Sequence, residues 1–259
     1  MRNIWTIARK EMNAYFRSPI AYIVMTVFAV IFGFFFYSIL SLFMRQVFAQ
    51  AQYAQMYGQM PPMNVNEMVI RPLLMNVSVV SLFLVPMITM RLFAEEKKTG
   101  TIELLMTSPV TDLQLIFGKF LAAFMLYAVL LGLTLPCILA LFRYGNPDWR
   151  PLLAGYLGQL LMGSCFLSFG LLLSTFTRNQ LVAGSLTFGF FLILWVLDWT
   201  SEYSSSQVGQ IASYLSLTTH IENFSKGVID LKDAVYYLSV IGLGLFLTAR
   251  SVEYQRWRA

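Results

Sequence analysis

Apolar residues fall in six long blocks separated by short polar stretches. The blocks run roughly Ile20–Phe43, Pro72–Met90, Leu115–Phe142, Leu152–Phe176, Leu181–Trp199 and Ala234–Ala249. Apolar runs near 18 residues or longer are long enough to cross a bilayer as helices. The pattern predicts an all-α integral membrane protein with six transmembrane helices, organised as one domain over residues 1–259. The third block is long enough to tilt or bend at Pro136, and Pro86 predicts a kink in the second.

The first residues follow a different period. In RNIWTIARKEMNAYFR, residues 2–17, Ile4, Ala8, Met12 and Tyr15 share one helical face. Arg2, Thr6, Arg9, Lys10, Asn13 and Arg17 share the other. Residues 1–18 are therefore expected to form an amphipathic interface helix lying along the membrane before Pro19 turns the chain. Glu11 breaks the pattern by falling on the apolar face. Either it snorkels to headgroup level, or it pairs with a basic or amide group of the neighbouring cytoplasmic loop.

Charge sets the expected orientation. With the N-terminus in the cytoplasm, twelve basic residues lie inside: Arg2, Arg9, Lys10, Arg17, Arg91, Lys97, Lys98, Lys119, Arg178, Arg250, Arg256 and Arg258. Six lie outside: Arg45, Arg71, Arg143, Arg150, Lys226 and Lys232. The bias places both termini on the cytoplasmic side. The start lacks a short apolar core with a cleavage site and reads as a retained anchor. A mean hydropathy of +0.65 and only 12% charged residues agree with a membrane protein. The net charge of +5 has no dense basic patch with interleaved aromatics, so it does not indicate nucleic acid. Cys137 and Cys165 sit inside apolar blocks, as small buried hydrophobes do.

Two longer segments fall outside. Residues 44–71, rich in Gln and Met, are expected to form a loop at the interface or against a partner. Copper ligation by methionine is conceivable there, without His or Cys to support it. In residues 200–233, Ile211, Tyr214, Leu215, Thr218 and Ile221 recur at helical spacing, predicting a short non-spanning helix. His220, the single histidine, is expected to be a hydrogen-bonding surface residue.

One cytoplasmic stretch stands out: AEEKKTGTIELLMTSPV, residues 94–110. Gly100 permits a turn, Thr101 is a candidate N-cap, and Glu103 suits the start of a helix. Pro109 ends it at Ser108. Thr111-Asp112-Leu113-Gln114 matches a capping box that starts the next long helix. About twenty residues are far more than a turn needs. Ile102, Leu104, Leu105 and Met106 are presented at the tip, which suggests a protein partner. Residues 94–112 are thus expected to carry a short crosswise helix for docking.

The run Glu95-Glu96-x-x-x-Gly100-Thr101-x-Glu103-Leu104-Leu105-x-x-x-Pro109-Val110 resembles the signature of ABC-2 type transporter permeases. The resemblance covers the chain, from Lys10-Glu11 and Arg17-Ser18-Pro19 through all six blocks. Residues 223–239 resemble the gliding-motility GldF-like branch, with the NosY-like permeases a related one. It implies a type V exporter-like fold in which residues 94–112 form a coupling helix that docks on an ATP-binding subunit. Glu95, Glu96, Gly100, Thr101, Glu103, Leu104, Leu105 and Pro109 would contact that subunit, and Arg9, Lys10, Glu11 and Arg17 would belong to the interface helix. It further implies two ATP-binding subunits, a second copy or a related permease, and in the GldF-like case a GldG-like subunit. ATP and Mg would sit on the partner, with no cofactor, metal or catalytic residue on this chain. The residues agree in one respect: no G-x-x-x-x-G-K-[ST] phosphate loop occurs, and Leu113 stands where the first glycine before Gly118-Lys119 would be.

Three rivals are weaker or less complete. An intramembrane protease would need partners for Glu95-Glu96, and the only histidine is expected on the other side. A passive channel would need rings of charge or a filter loop, and the blocks show no midspan acid or base. An ABC-type scaffold driving a periplasmic partner without moving substrate shares every feature above.

Overall fold

The computed structural model describes residues 2–57, 63–103, 110–145, 147–203 and 216–256, and all the regular structure there is helical. In chain order the helices are α1 (Arg2–Arg17), α2 (Pro19–Tyr57), a π-helical turn (Asn66–Ile70) and α3 (Arg71–Thr89). Then come α4 (Ala94–Thr99), α5 (Asp112–Gly132), α6 (Leu135–Gly145) and α7 (Trp149–Ser174). The last are α8 (Gln180–Tyr203), α9 (Leu217–Ser225) and α10 (Leu231–Arg256).

The bundle is organised around α7. In its most apolar window 72% of residues are buried, against 17% in α2. Helices α3, α5, α8, α9 and α10 all pack on α7. Close approach is possible because α7 offers glycines. A Cβ on Gly158 would stand 2.6 Å from Phe224 of α9, and one on Gly170 would stand 2.3 Å from Thr89 of α3. Without a hydrophobic driving force between helices in lipid, such small-residue contacts and buried polar bonds supply much of the association. Gln159 of α7 donates to the Leu74 carbonyl (2.6 Å) and to Ser78 (2.8 Å), and Ser81 bonds Tyr127 of α5 (3.0 Å).

Five stretches are long and apolar enough to cross a membrane: Pro19–Tyr53, Asn66–Thr99, Asp112–Gly145, Trp149–Ser174 and Leu231–Arg256. The expected span Leu181–Trp199 is helical as part of α8, with a shorter described apolar stretch, Gln180–Val196. The third block does not merely bend. It divides into α5 and α6, with the break just before Pro136, whose ring cannot accept a preceding helical turn. The other proline, Pro86, lies inside α3, which continues through it to Thr89.

Residues 44–71 are not a loop throughout. Helix α2 runs on to Tyr57, because MRQVFAQAQYAQMY contains good helix formers and neither glycine nor proline. Its 39 residues span about 58 Å at 1.5 Å per residue, roughly twice a hydrocarbon core. The non-spanning helix expected in 200–233 is α9, where Leu217, Ile221 and Phe224 are buried. Ile211, Tyr214 and Leu215 lie outside the described residues. His220 is not a surface residue: it is buried, stacked on Tyr236, with Nδ1 2.6 Å from Asp233 Oδ1. The spatial return of α10 onto α9 brings that carboxylate 13 positions back to the histidine.

Candidate functional site

The charged end of the bundle gathers α1, α4, the first turns of α5 and the last turns of α7 and α10. Helix α1 turns the face carrying Ile4, Ala8, Met12 and Tyr15 onto α5, and Ala8 and Tyr15 are buried. Protein, not lipid, therefore covers the apolar face expected to lie on the membrane. The crossing point is Gly118, where a Cβ would stand 2.7 Å from Ile7. The Tyr15 hydroxyl donates to the Ile88 carbonyl of α3 (2.9 Å). Burial, with the charge of nearby Glu11, holds that phenol well above its ordinary range. Arg9 and Arg17 stay exposed on the opposite face.

Helix α4 forms from the charge run AEEKKT. Glu95 and Glu96 lie in its first turn and Lys97 and Lys98 in its last, each complementing the helix dipole. Gly100 closes it in the left-handed conformation, φ 72° and ψ 2°. The sequence pattern placed the short helix after Gly100, whereas α4 lies before it. Thr101 turns its hydroxyl back to Thr99 (2.9 Å). Ile102 and Glu103 are helical, and Leu104, Leu105, Met106 and Pro109 lie outside the described residues. At the start of α5, Thr111 accepts from the Gln114 amide (3.4 Å), as a capping box requires. The Gln114 side chain, however, accepts from Asn3 of α1 (3.2 Å), so the second half of the box is spent on a tertiary contact.

Lys119 is the centre of this end. Its side chain is fully buried, and its three ammonium donors are all used. They meet the Leu92 carbonyl at 2.6 Å, Glu96 Oε1 at 2.8 Å and Glu11 Oε1 at 3.2 Å. The Phe93 ring lies 5.1 Å from the ammonium, close enough for a cation–π contribution. Lys10 reaches the same two carboxylate oxygens from the solvent side, 3.6 Å from Glu11 and 3.7 Å from Glu96. Glu11 is accordingly paired, not snorkelling, and its partner is on α5 rather than in the loop. Its place on the apolar face of α1 is what the buried lysine requires.

Neighbouring bonds extend the cluster. Arg91 grips Glu95 with two nitrogens, at 2.8 and 3.3 Å. Lys97 donates to the Thr175 carbonyl at the end of α7, which also accepts from Gln255 of α10 (2.9 Å). Arg256 meets Asp112 at the start of α5 (3.3 Å). Helix α4 is therefore tied to α1, α5 and α7 by side chains as well as to α3 by the chain. The arrangement fastens the ends of these helices to one another electrostatically.

Sequence reasoning brought out Glu11 and Glu96 separately and passed over Lys119. A signal was present: a lone charge near the start of the third apolar block, and a misplaced acid on an otherwise apolar face. An ionisable group among apolar neighbours is expensive unless paired, so each implied the other.

An all-helical bundle with several bilayer-length apolar helices and its charges gathered at helix ends defines a multi-pass membrane protein. Residues 5–249 match the family described as ABC-2 family transporter protein. The chain belongs to that family, the membrane components of ABC transporters. No curated protein matches it.

Proposed function

We propose that this chain is a permease subunit that couples ATP hydrolysis by a separate subunit to export. In this reading six helices cross the inner membrane with both termini in the cytoplasm, α8 being the sixth. Two ATP-binding subunits, holding ATP and Mg, dock on residues 94–112 of two permeases, either identical or related. The GldF-like branch is the subgroup that residues 223–239 suggest.

The observation that carries the proposal is the fastening of α4. A simple turn needs few tertiary bonds, whereas α4 is bonded to α1, α5 and α7 through Glu96 and Lys97. A force applied at its tip would reach most of the bundle. The test is Leu104→Asp with Leu105→Asp. Membrane insertion should survive, and co-purification of the ATP-binding subunit should fall sharply, because an unpaired buried carboxylate is costly. Unchanged binding would refute docking at this segment.

One observation favours the scaffold alternative, in which the complex drives a periplasmic partner. Helix α2 is about 58 Å long by its residue count, so it extends well past the hydrocarbon. Phe48 and Tyr53, both 65% exposed, lie on that extension. Native co-purification separates the two: an ATP-binding subunit alone supports export, and an additional periplasmic protein supports the scaffold.

A further inference from the structure

The Lys119 cluster sets two carboxylates between one buried and one exposed ammonium. A single buried ammonium needs one counter-charge, and Lys119 has two carboxylates within 3.2 Å. Lys10 balances the second, but its side chain is 61% exposed and hydrated. One carboxylate could therefore leave while the ammonium keeps the other and the Leu92 carbonyl.

The two carboxylates are not equally held. Glu11 belongs to α1, which packs on α5 with Ile7 at Gly118 and buries Ala8 and Tyr15, the latter bonded to Ile88 of α3. Packing holds its helix in place in addition to the ion pair. Glu96 belongs to the six-residue α4. Its second oxygen, Oε2, is buried with no hydrogen-bond partner among the described residues. A buried carboxylate oxygen without a donor favours movement toward water. Beyond α4, Gly100 takes its positive φ with no atom of the described residues within 4 Å of a Cβ position.

We propose that Lys119 is a latch, with Glu11 its resident counter-ion and Glu96 its releasable one, so that α4 can detach from α1 and α5 without stranding a buried charge. This rests on the docking role proposed for residues 94–112 and assigns α4 a two-state mechanism. Closed, α4 moves with α1 and α5. Open, Glu96 reaches water, followed by Lys10, and α4 moves independently of the interface helix.

The test uses the permease alone in lipid nanodiscs, so that failure of ATPase docking does not bear on it. Cys137 and Cys165 are replaced, spin labels are placed at exposed Asn13 of α1 and Lys98 of α4, and the distance distribution is measured by pulsed electron resonance. Glu96→Gln should raise the long-distance component about tenfold or more, the factor expected for loss of a charge-assisted hydrogen bond. Glu11→Gln leaves Glu96 as the sole buried counter-ion and should narrow the distribution toward the short distance. The pair Lys119→Met with Glu11→Gln removes the ammonium and should reproduce the long component if Glu96→Gln folds poorly. Equal shifts in the same direction for Glu11→Gln and Glu96→Gln would mean a static network. That result, or no shift with loss of the ammonium, overturns the latch.

Discussion

Replacing Lys119 by methionine tests how much the cluster contributes to the fold. Methionine keeps most of the aliphatic stem, so packing against Phe93 and α1 changes little. The loss is electrostatic. Glu11 and Glu96, with side chains 14% and 12% exposed, are left without their ammonium, and the Leu92 carbonyl loses its 2.6 Å donor. Breaking a buried pair from one side costs about 3–5 kcal/mol, and an unpaired buried carbonyl adds about 1–3 kcal/mol. Lys10, already within 3.7 Å of both carboxylates, offsets part of this. A net loss of about 3–5 kcal/mol is expected. Taking about 2–4 °C per kcal/mol for a chain of this size, Tm should fall by roughly 6–20 °C. Thermal unfolding in detergent, followed by tryptophan fluorescence, measures it. Adding Glu11→Gln and Glu96→Gln should restore most of the stability, because a buried ionic cluster and a neutral replacement are often close in energy. A single variant that loses less than about 1 kcal/mol, or a triple variant no more stable than the single, would refute the electrostatic account.

Gly100→Val should destabilise α4 by about 1–3 kcal/mol through its positive φ, whereas Gly100→Asn should be milder because asparagine tolerates that conformation; protease sensitivity of residues 94–112 reports the difference. Gly163→Ala should cost about 1–3 kcal/mol, since its Cβ would stand 2.1 Å from the Tyr127 ring, and Tyr127→Leu in the same chain should relieve much of the loss in Tm. Tyr15→Phe should remove about 1 kcal/mol with the bond to Ile88. Because burial raises the Tyr15 pKa, the unfolded chain ionises first as pH rises past about 10, so wild-type stability falls there. The phenylalanine variant should show a shallower decline.

Much of the architecture follows from local pattern. Apolar block length dictates membrane-length helices, since backbone polar groups in lipid must be satisfied within the segment. The amphipathic period of residues 2–17, the left-handed Gly100 and the Thr111 cap are all set by near neighbours, and they appear where the sequence puts them. The continuation of α2 past Phe43 was also legible, in a run without glycine or proline, although its polarity suggested a loop.

Other features depend on partners distant in the chain. Polarity predicts that the basic face of α1 meets water, but not whether its apolar face meets lipid or protein; Gly118, by admitting Ile7, settles that in favour of α5. His220 looks exposed by composition and is buried because α10 returns Asp233 to it. Glu11 and Lys119 lie 108 positions apart, and Glu96 joins them only when α3, α4 and α5 fold back beside α1. Sequence alone determined that each charge would need compensation near apolar surroundings, because desolvation is a property of the residue and its block. Only the packing of four segments decided which charges compensate one another, because electrostatic pairing depends on distance in space and not along the chain.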